Sequence, residues 1–158
     1  MSVEEYPKID TLFDRDPKTF KVDEARIRRP EFAIPERWLV TEKVDGTNVR
    51  VSLERVPHCA NEEGCECGES RESWGVRFYG RTERAQMPTF LLDHLQRTFT
   101  LEKMKALWRG PGEAEYPITL YGEGYGAKIQ KGGGNYRSGG DVNFRLFDVL
   151  IGGTWLRR

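Results

Sequence analysis

From Trp38 to Glu54 the chain alternates: Trp38, Val40, Glu42 and Val44, an interruption at Asp45-Gly46, then Val49, Val51 and Leu53. A period of two is the mark of a strand that buries one face. The pattern predicts a strand, a sharp turn at Asp45-Gly46 and a second strand, with Gly46 supplying positive φ at no steric cost. Trp74 to Thr82 has strand character again. From Thr89 to Trp108 the period lengthens: Phe90, Leu91, His94 and Leu95 recur at helical spacing, then Leu101, Met104, Lys105 and Trp108. Thr89 and Thr100 are candidate N-caps that divide this stretch into two helices. Gly110-Pro111-Gly112 ends it, Ile118 to Gly122 is a short apolar strand, a Gly-rich loop runs from Gly122 to Gly140, and Phe144 to Ile151 is a last strand. Ahead of all this, Pro7, Pro17, Pro30 and Pro35 limit the first forty residues to turns and short extended pieces. Strands and helices without regular βαβ alternation predict an α+β fold of mixed, largely antiparallel sheets with helices.

Composition adds bounds. A chain of 158 residues, 37% hydrophobic and 32% charged, fits one domain with a real core and excludes a disordered polymer. No apolar run reaches the length of a membrane span and Met1 to Asp10 lacks the pattern of a secretory signal, so the cytoplasm is the expected location, with no membrane partner. Lys plus Arg and Asp plus Glu balance at 25 each, yet the charge is unevenly placed. Glu62, Glu63, Glu66, Glu69 and Glu72 face only Arg71 in an excursion from Pro57 to Ser73, whereas Lys128, Lys131, Arg137, Arg145, Arg157 and Arg158 outnumber Asp141 and Asp148 after Gly124. A basic stretch suits phosphates or a nucleic-acid backbone; a solvated surface is the plainer reading.

Glu42-Lys43-Val44-Asp45-Gly46-Thr47-Asn48 is the segment with chemical content. A lysine attacks phosphorus only as the neutral amine, and free lysine titrates near about 10.4, so its surroundings must depress it or take its proton during reaction. Asp45 and Gly46 set the turn that holds the lysine, and the Asn48 amide can meet sugar or phosphate oxygens. From these residues alone, a hairpin with a lysine at its mouth stands as the alternative. Lys131-Gly132-Gly133-Gly134-Asn135-Tyr136-Arg137 lacks the Gly-Lys-Ser/Thr ending of a P-loop. It is either a flap or RNA contact through Lys128, Lys131 and Arg137, or a plain surface loop. His58, Cys59, Cys65 and Cys67 form the one zinc-like cluster, but Cys-x-Cys is an unusual zinc spacing, and no metal ligand is assigned.

Lys43-Val44-Asp45-Gly46 resembles the nucleophile motif of polynucleotide ligases and mRNA capping enzymes. Three more segments match that superfamily in order: Phe78-Tyr79-Gly80-Arg81-Thr82, Tyr121-Gly122-Glu123-Gly124-Tyr125-Gly126 and Phe144-Arg145-Leu146-Phe147-Asp148-Val149. Glu42 before the lysine, Thr47-Asn48 after the turn, the Gly-Glu-Gly-Tyr-Gly run and the opening Tyr6-Pro7-Lys8-Ile9-Asp10 resemble ATP-dependent RNA ligases of the bacteriophage nick-sealing kind. The resemblance implies a nucleotidyltransferase (adenylation) domain that uses ATP and Mg²⁺ and acts on nicked or broken RNA ends. It makes Lys43 the nucleophile that forms lysyl-AMP. It assigns Glu42, Asp45, Gly46, Asn48, Arg81, Glu123 and Phe147 to nucleotide binding, with Glu123 on ribose hydroxyls, Phe147 stacked on adenine and Arg81 on phosphate or sugar. Each has a bland alternative: Glu123 a turn residue, Phe147 core, Arg81 paired with Glu83 or Glu54.

The superfamily has two later motifs, a glutamate for metal and lysines for the α-phosphate, and neither follows Phe147 before Arg158. The expectation is therefore that residues 1–158 are the N-terminal part of an RNA ligase adenylation domain, and that alone they adenylate themselves poorly or not at all. A truncated reading frame, a C-terminal half on a separate chain and a non-catalytic nucleotide- or RNA-binding remnant are the competing explanations. A DNA ligase or a capping guanylyltransferase is the nearest enzymatic rival.

Overall fold

The computed structural model describes residues 3–57, 72–108, 110, 115–136 and 141–156. His58, Cys59, Cys65 and Cys67, and with them the zinc question, lie outside the described residues, as does Arg137. By its contacts the chain divides into two units, residues 6–43 and residues 1–5 with 44–158.

In the smaller unit β1 (Phe13–Arg15) and β2 (Val22–Ile27) pair antiparallel, with Phe13 opposite Ile27. The Asp16 carboxylate organises the turn between them, accepting from Lys18 N at 2.9 Å, Thr19 N at 2.6 Å and Thr19 Oγ1 at 2.9 Å. These bonds, that from Thr19 N first, hold its pKa below the usual carboxylate value. Asp10 takes Arg28 at 3.3 Å and Arg29 at 2.5 Å, and a 3-10 turn opens at Pro30, where a missing N–H costs nothing. No residue of this unit is buried. The strand expected from Trp38 to Val44 does not form, and Leu39 and Val40 are 92% and 86% exposed. Alternation supplies a face but not a ladder, and the unit's only strands are already paired with each other.

The larger unit is a five-stranded antiparallel sheet in the order β4-β3-β5-β6-β7. Its strands are β3 (Thr47–Pro57), β4 (Glu72–Tyr79), β5 (Ile118–Gly126), β6 (Val142–Ile151) and β7 (Thr154–Trp155). The helices α1 (Thr89–Thr98) and α2 (Leu101–Lys105) cover one face. Val49, Val51 and Leu53 of β3, Trp74 of β4 and Ile118 and Leu120 of β5 meet Leu91, Leu95 and Met104 of the helices there. Thr100 caps α2 through Lys103 N as its sequence position predicts, whereas α1 is entered from Pro88 and Thr89 is already helical. The α+β class with antiparallel sheets is thus observed.

Two boundaries move. The Gly-rich loop begins after Gly126, because Gly122, Gly124 and Gly126 are strand residues of β5. Alternation sends these glycines to the helix-covered face and Glu123 and Tyr125 to the other. A Cβ on Gly124 would stand 2.7 Å from Leu91 Cδ2 and 3.2 Å from Val49 Cγ2, so glycine is what lets α1 lie close to the sheet. Strand β4 stops at Tyr79, which places Arg81 in the following turn rather than on the strand. The Gly80 carbonyl accepts from Arg50 Nε at 3.0 Å instead of continuing the ladder, and Ala85 N closes on Thr82 O.

Candidate functional site

The sheet face away from the helices collects polar side chains. From β3 alternation brings Asn48, Arg50, Ser52 and Glu54 to it. The register sets Asn48 opposite Glu123, Arg50 opposite Tyr121 and Ser52 opposite Thr119. The hydroxyls of Ser52 and Thr119 bond at 3.1 Å, fixing these positions on one face. Across β6, Glu123 faces Arg145, an opposite charge directly across the ladder.

Asn48 and Glu123 are both partly buried, and Asn48 Oδ1 is a buried acceptor with no partner among the described residues. Leaving such a group unsatisfied costs about 1–3 kcal/mol. Native folds leave few such groups, which makes Asn48 Oδ1 a candidate acceptor for a donor from outside the fold. Glu123 stands beside it as a second oxygen acceptor.

Asp45 and Gly46 join this group from the loop ahead of β3. The hairpin expected around them is absent, and Gly46 is required for a different reason. Its φ is not positive. A Cβ there would stand 2.9 Å from Glu123 Cγ and closer still to the Gly124 carbonyl oxygen. Glycine allows the loop to lie flat on β5 beside Glu123. The Gly-rich loop clasps it from outside: Gln130 Nε2 donates to Gly46 O at 3.3 Å, and a Cβ on Gly132 would come within 2.8 Å of Asp45 Oδ2. Lys128 and Lys131 of that loop are exposed. Gln130 was not singled out by the sequence, and nothing in its local pattern marks it.

Phe147 occupies an irregular position. Pairing between β5 and β6 steps by one residue, from Tyr121 opposite Asp148 to Gly122 opposite Leu146, and Phe147 falls in the step. A bulge of this kind redirects side chains at functional sites. Counting from Arg145 on one side and Leu150 on the other, Phe147 and Asp148 share the polar face. Phe144, three residues earlier, packs on the core and meets Phe99 edge-on with centroids 5.2 Å apart. Arg81 is exposed in its turn and makes no ion pair with Glu83 or Glu54. Glu54 instead accepts from Tyr79 OH at 2.7 Å.

The structure therefore brings Asp45, Gly46, Asn48 and Glu123 together and sets Phe147 on the same sheet face. Glu42 and Lys43 close the other unit, both exposed, with Lys43 one residue ahead of Val44 in the chain. The RNA ligase family model matches residues 36–158, a span that includes Lys43, all five sheet strands and every segment named above except the opening one. The chain belongs to the RNA ligase family. Neither the curated proteins nor the solved structures gave a match. Residues 1–35 of this RNA ligase family member precede the matched span.

Deeper along the same face lies a cluster that the sequence did not single out. Arg50 is fully buried, its guanidinium 5.2 Å from the Tyr79 ring centre. Burial first, then the bond to Glu54, pushes the Tyr79 hydroxyl above its ordinary value. Tyr121 OH donates to Glu4 O at 2.7 Å and its pKa is pushed up to about 12, by burial first and then by the Glu4 charge, with Arg50 opposing. Among the described residues no group of three His, Cys, Asp or Glu could hold a metal ion, and no helix is long and apolar enough to cross a membrane.

Proposed function

We propose that this RNA ligase family member is a cytoplasmic, ATP-dependent enzyme of the nick-sealing, bacteriophage-like kind, built on a nucleotidyltransferase adenylation fold. One observation carries the reading: a buried, unpartnered Asn48 Oδ1 opposite Glu123, on the sheet face that the Phe147 bulge adjoins. The two oxygens would accept from ribose hydroxyls and favour a ribonucleotide, and the Phe147 ring offers an apolar plane for adenine. Glu42, Asp45 and Gly46 flank or hold the lysine segment, and Arg81 is a free guanidinium for phosphate oxygens.

Lys43 Nζ, once neutral, attacks the α-phosphorus of ATP. A P–N bond forms, the α–β phosphoanhydride breaks, pyrophosphate leaves with the bridging oxygen, and the amine proton passes to solvent. An RNA 5′-phosphate oxygen then attacks the adenylate phosphorus, breaking the P–N bond, freeing the lysine and forming an RNA–AMP phosphoanhydride. A 3′-hydroxyl, losing its proton to solvent, attacks the 5′-phosphorus to form the phosphodiester and release AMP. Mg²⁺ would offset phosphate charge; as a cation held largely by the phosphates it needs few protein ligands, and no described residue is assigned to it.

The test is incubation with Mg²⁺ and α-labelled ATP beside a Lys43→Ala control. Label that survives denaturation, is released by acid and vanishes in the control supports the reading. Label from GTP instead of ATP points to a capping guanylyltransferase, and sealing of DNA rather than RNA nicks to a DNA ligase. Folded protein that binds ATP without forming an adduct would leave a non-catalytic nucleotide-binding module.

A further inference from the structure

Arg50 is a buried, permanently charged group for which the adenylation chemistry above has no use. Among the described residues its hydrogen-bond partners are neutral main-chain oxygens: Gly80 O to Nε at 3.0 Å, with Val3 O at 2.6 Å and Glu4 O at 3.2 Å to Nη1. Nη2 is buried with no partner, and Arg50 forms no ion pair among the described residues. Enclosing a guanidinium without an anion carries a desolvation penalty that neutral carbonyls only partly offset, and a position that only fills space between Tyr79 and Tyr121 would be less costly as an apolar residue. The donor belongs to β3, inside the span matched by the family, whereas the carbonyls that close it off come from residues 3 and 4, ahead of that span.

An oxyanion outcompetes such carbonyls. Charge-assisted bonds are roughly twice as strong as neutral ones, and the two terminal nitrogens of a guanidinium form a fork that fits two oxygens of one phosphate. Here one tine of that fork is held by Val3 and Glu4 and the other is empty-handed. Arg50 also lies two residues along β3 from Asn48 on the same face, roughly 7 Å, so a phosphate there would sit beside the nucleotide pocket.

We propose that Arg50 is a recognition residue for a terminal phosphate, and that residues 3–5 form a strap whose carbonyls occupy it until the phosphate displaces them. The proposal rests on the RNA ligase reading for the phosphate's owner, an RNA 5′ end or the nucleotide itself. The test reads binding, not adenylation. Anisotropy is measured with a short labelled RNA bearing a 5′-phosphate and the same RNA with a 5′-hydroxyl. The proteins are the intact chain, the chain lacking residues 1–5, and Arg50→Gln in each, with unlabelled ATP as competitor.

Removing the strap is expected to raise the preference for the 5′-phosphate about tenfold, and Arg50→Gln to abolish it. If the gain appears instead as tighter, Arg50-dependent ATP binding, the site stands and its phosphate is the nucleotide's. Equal binding of both RNAs by the strapless chain, with ATP affinity unchanged, overturns the proposal and leaves Arg50 as a tether for the N-terminus. Should Arg50→Gln fail to fold, the contrast between the two RNAs on strapless chain with its native arginine still decides. A chain that forms no adduct yet shows the Arg50-dependent preference loses the ligase reading and keeps the site.

Discussion

Replacing Gly46 with alanine should cost stability and nucleotide binding together, through contact rather than backbone conformation. The φ of Gly46 is not positive, so alanine can adopt its backbone. The added Cβ would stand 2.9 Å from Glu123 Cγ and 3.1 Å from Gly124 C, with the Gly124 carbonyl oxygen nearer still. Carbon contacts are comfortable at about 3.5–4.0 Å, so one side must retreat by roughly half an ångström or more. Gly124 cannot, because β5 is bonded on one edge to β3 and on the other to β6. The loop must lift, which stretches the 3.3 Å bond from Gln130 and carries Asp45 away from Glu123. Overpacking of this kind costs about 1–3 kcal/mol. Gly153→Ala is the internal control: nothing lies within 4 Å of its Cβ position, but its φ is +83°, so alanine there pays about 1–2 kcal/mol of backbone strain far from the site's oxygens. Urea unfolding and calorimetric titration with a non-hydrolysable ATP analogue read the two effects. Gly46→Ala should lose on both, Gly153→Ala on stability alone. A Gly46→Ala protein with unchanged unfolding midpoint and unchanged nucleotide affinity would refute the close-approach argument.

The two phenylalanines of β6 should separate in the same assays. Phe144→Ala, removed from its contact with Phe99 and the core, should destabilise by about 3 kcal/mol, whereas Phe147→Ala should act mainly on nucleotide affinity; the reverse ranking would place the stacking ring at Phe144. Alkaline stability should fall as well. With the Tyr121 pKa raised to about 12 from an unfolded value near about 10, the unfolded chain sheds its proton first, so stability is full below that lower value and is lost as pH rises through the upper one. Tyr79 shifts in the same direction and adds to the loss. Urea midpoints taken between pH 9 and 12 in wild type and Tyr121→Phe check this, and a midpoint that is flat across that range would contradict it.

Long periodic segments are legible in the sequence. The helix face of Leu91 and Leu95, the Thr100 cap and the core side of β3 follow directly from their spacing. What the spacing could not provide was the partner. Trp38 to Val44 alternates as well as β3 does, yet a strand exists only where a neighbour accepts its ladder. The same limit governed Gly46 and the glycines of β5, which read as turn and loop signals because a close approach by Leu91 or by another backbone segment is invisible in one dimension. Arg50 was hidden for a related reason. Its place in the alternation was plain, but a fully buried arginine among carbonyls depends on Gly80, Val3 and Glu4, which lie up to 47 positions away.

The bulge at Phe147 shows how fold and site depend on one residue of register. With unbroken alternation, placing Phe144 in the core would send Asp148 inward as well and turn Val149 and Ile151 out to solvent. The observed packing has Phe144, Val149 and Ile151 all against the core, which requires one extra residue between them, and the pairing places it at the Phe147 step. The insertion that keeps a charge out of the core is therefore the same one that sets an aromatic ring beside Asp148 on the face of Asn48 and Glu123. Deleting one residue at this step would force a choice between the two: the strand keeps its core and loses the ring, or keeps the ring and buries Asp148. A sheet whose helix-covered side is filled by Val, Leu and Ile and narrowed by glycine leaves its other side free for polar groups, and the bulge lets β6 serve both.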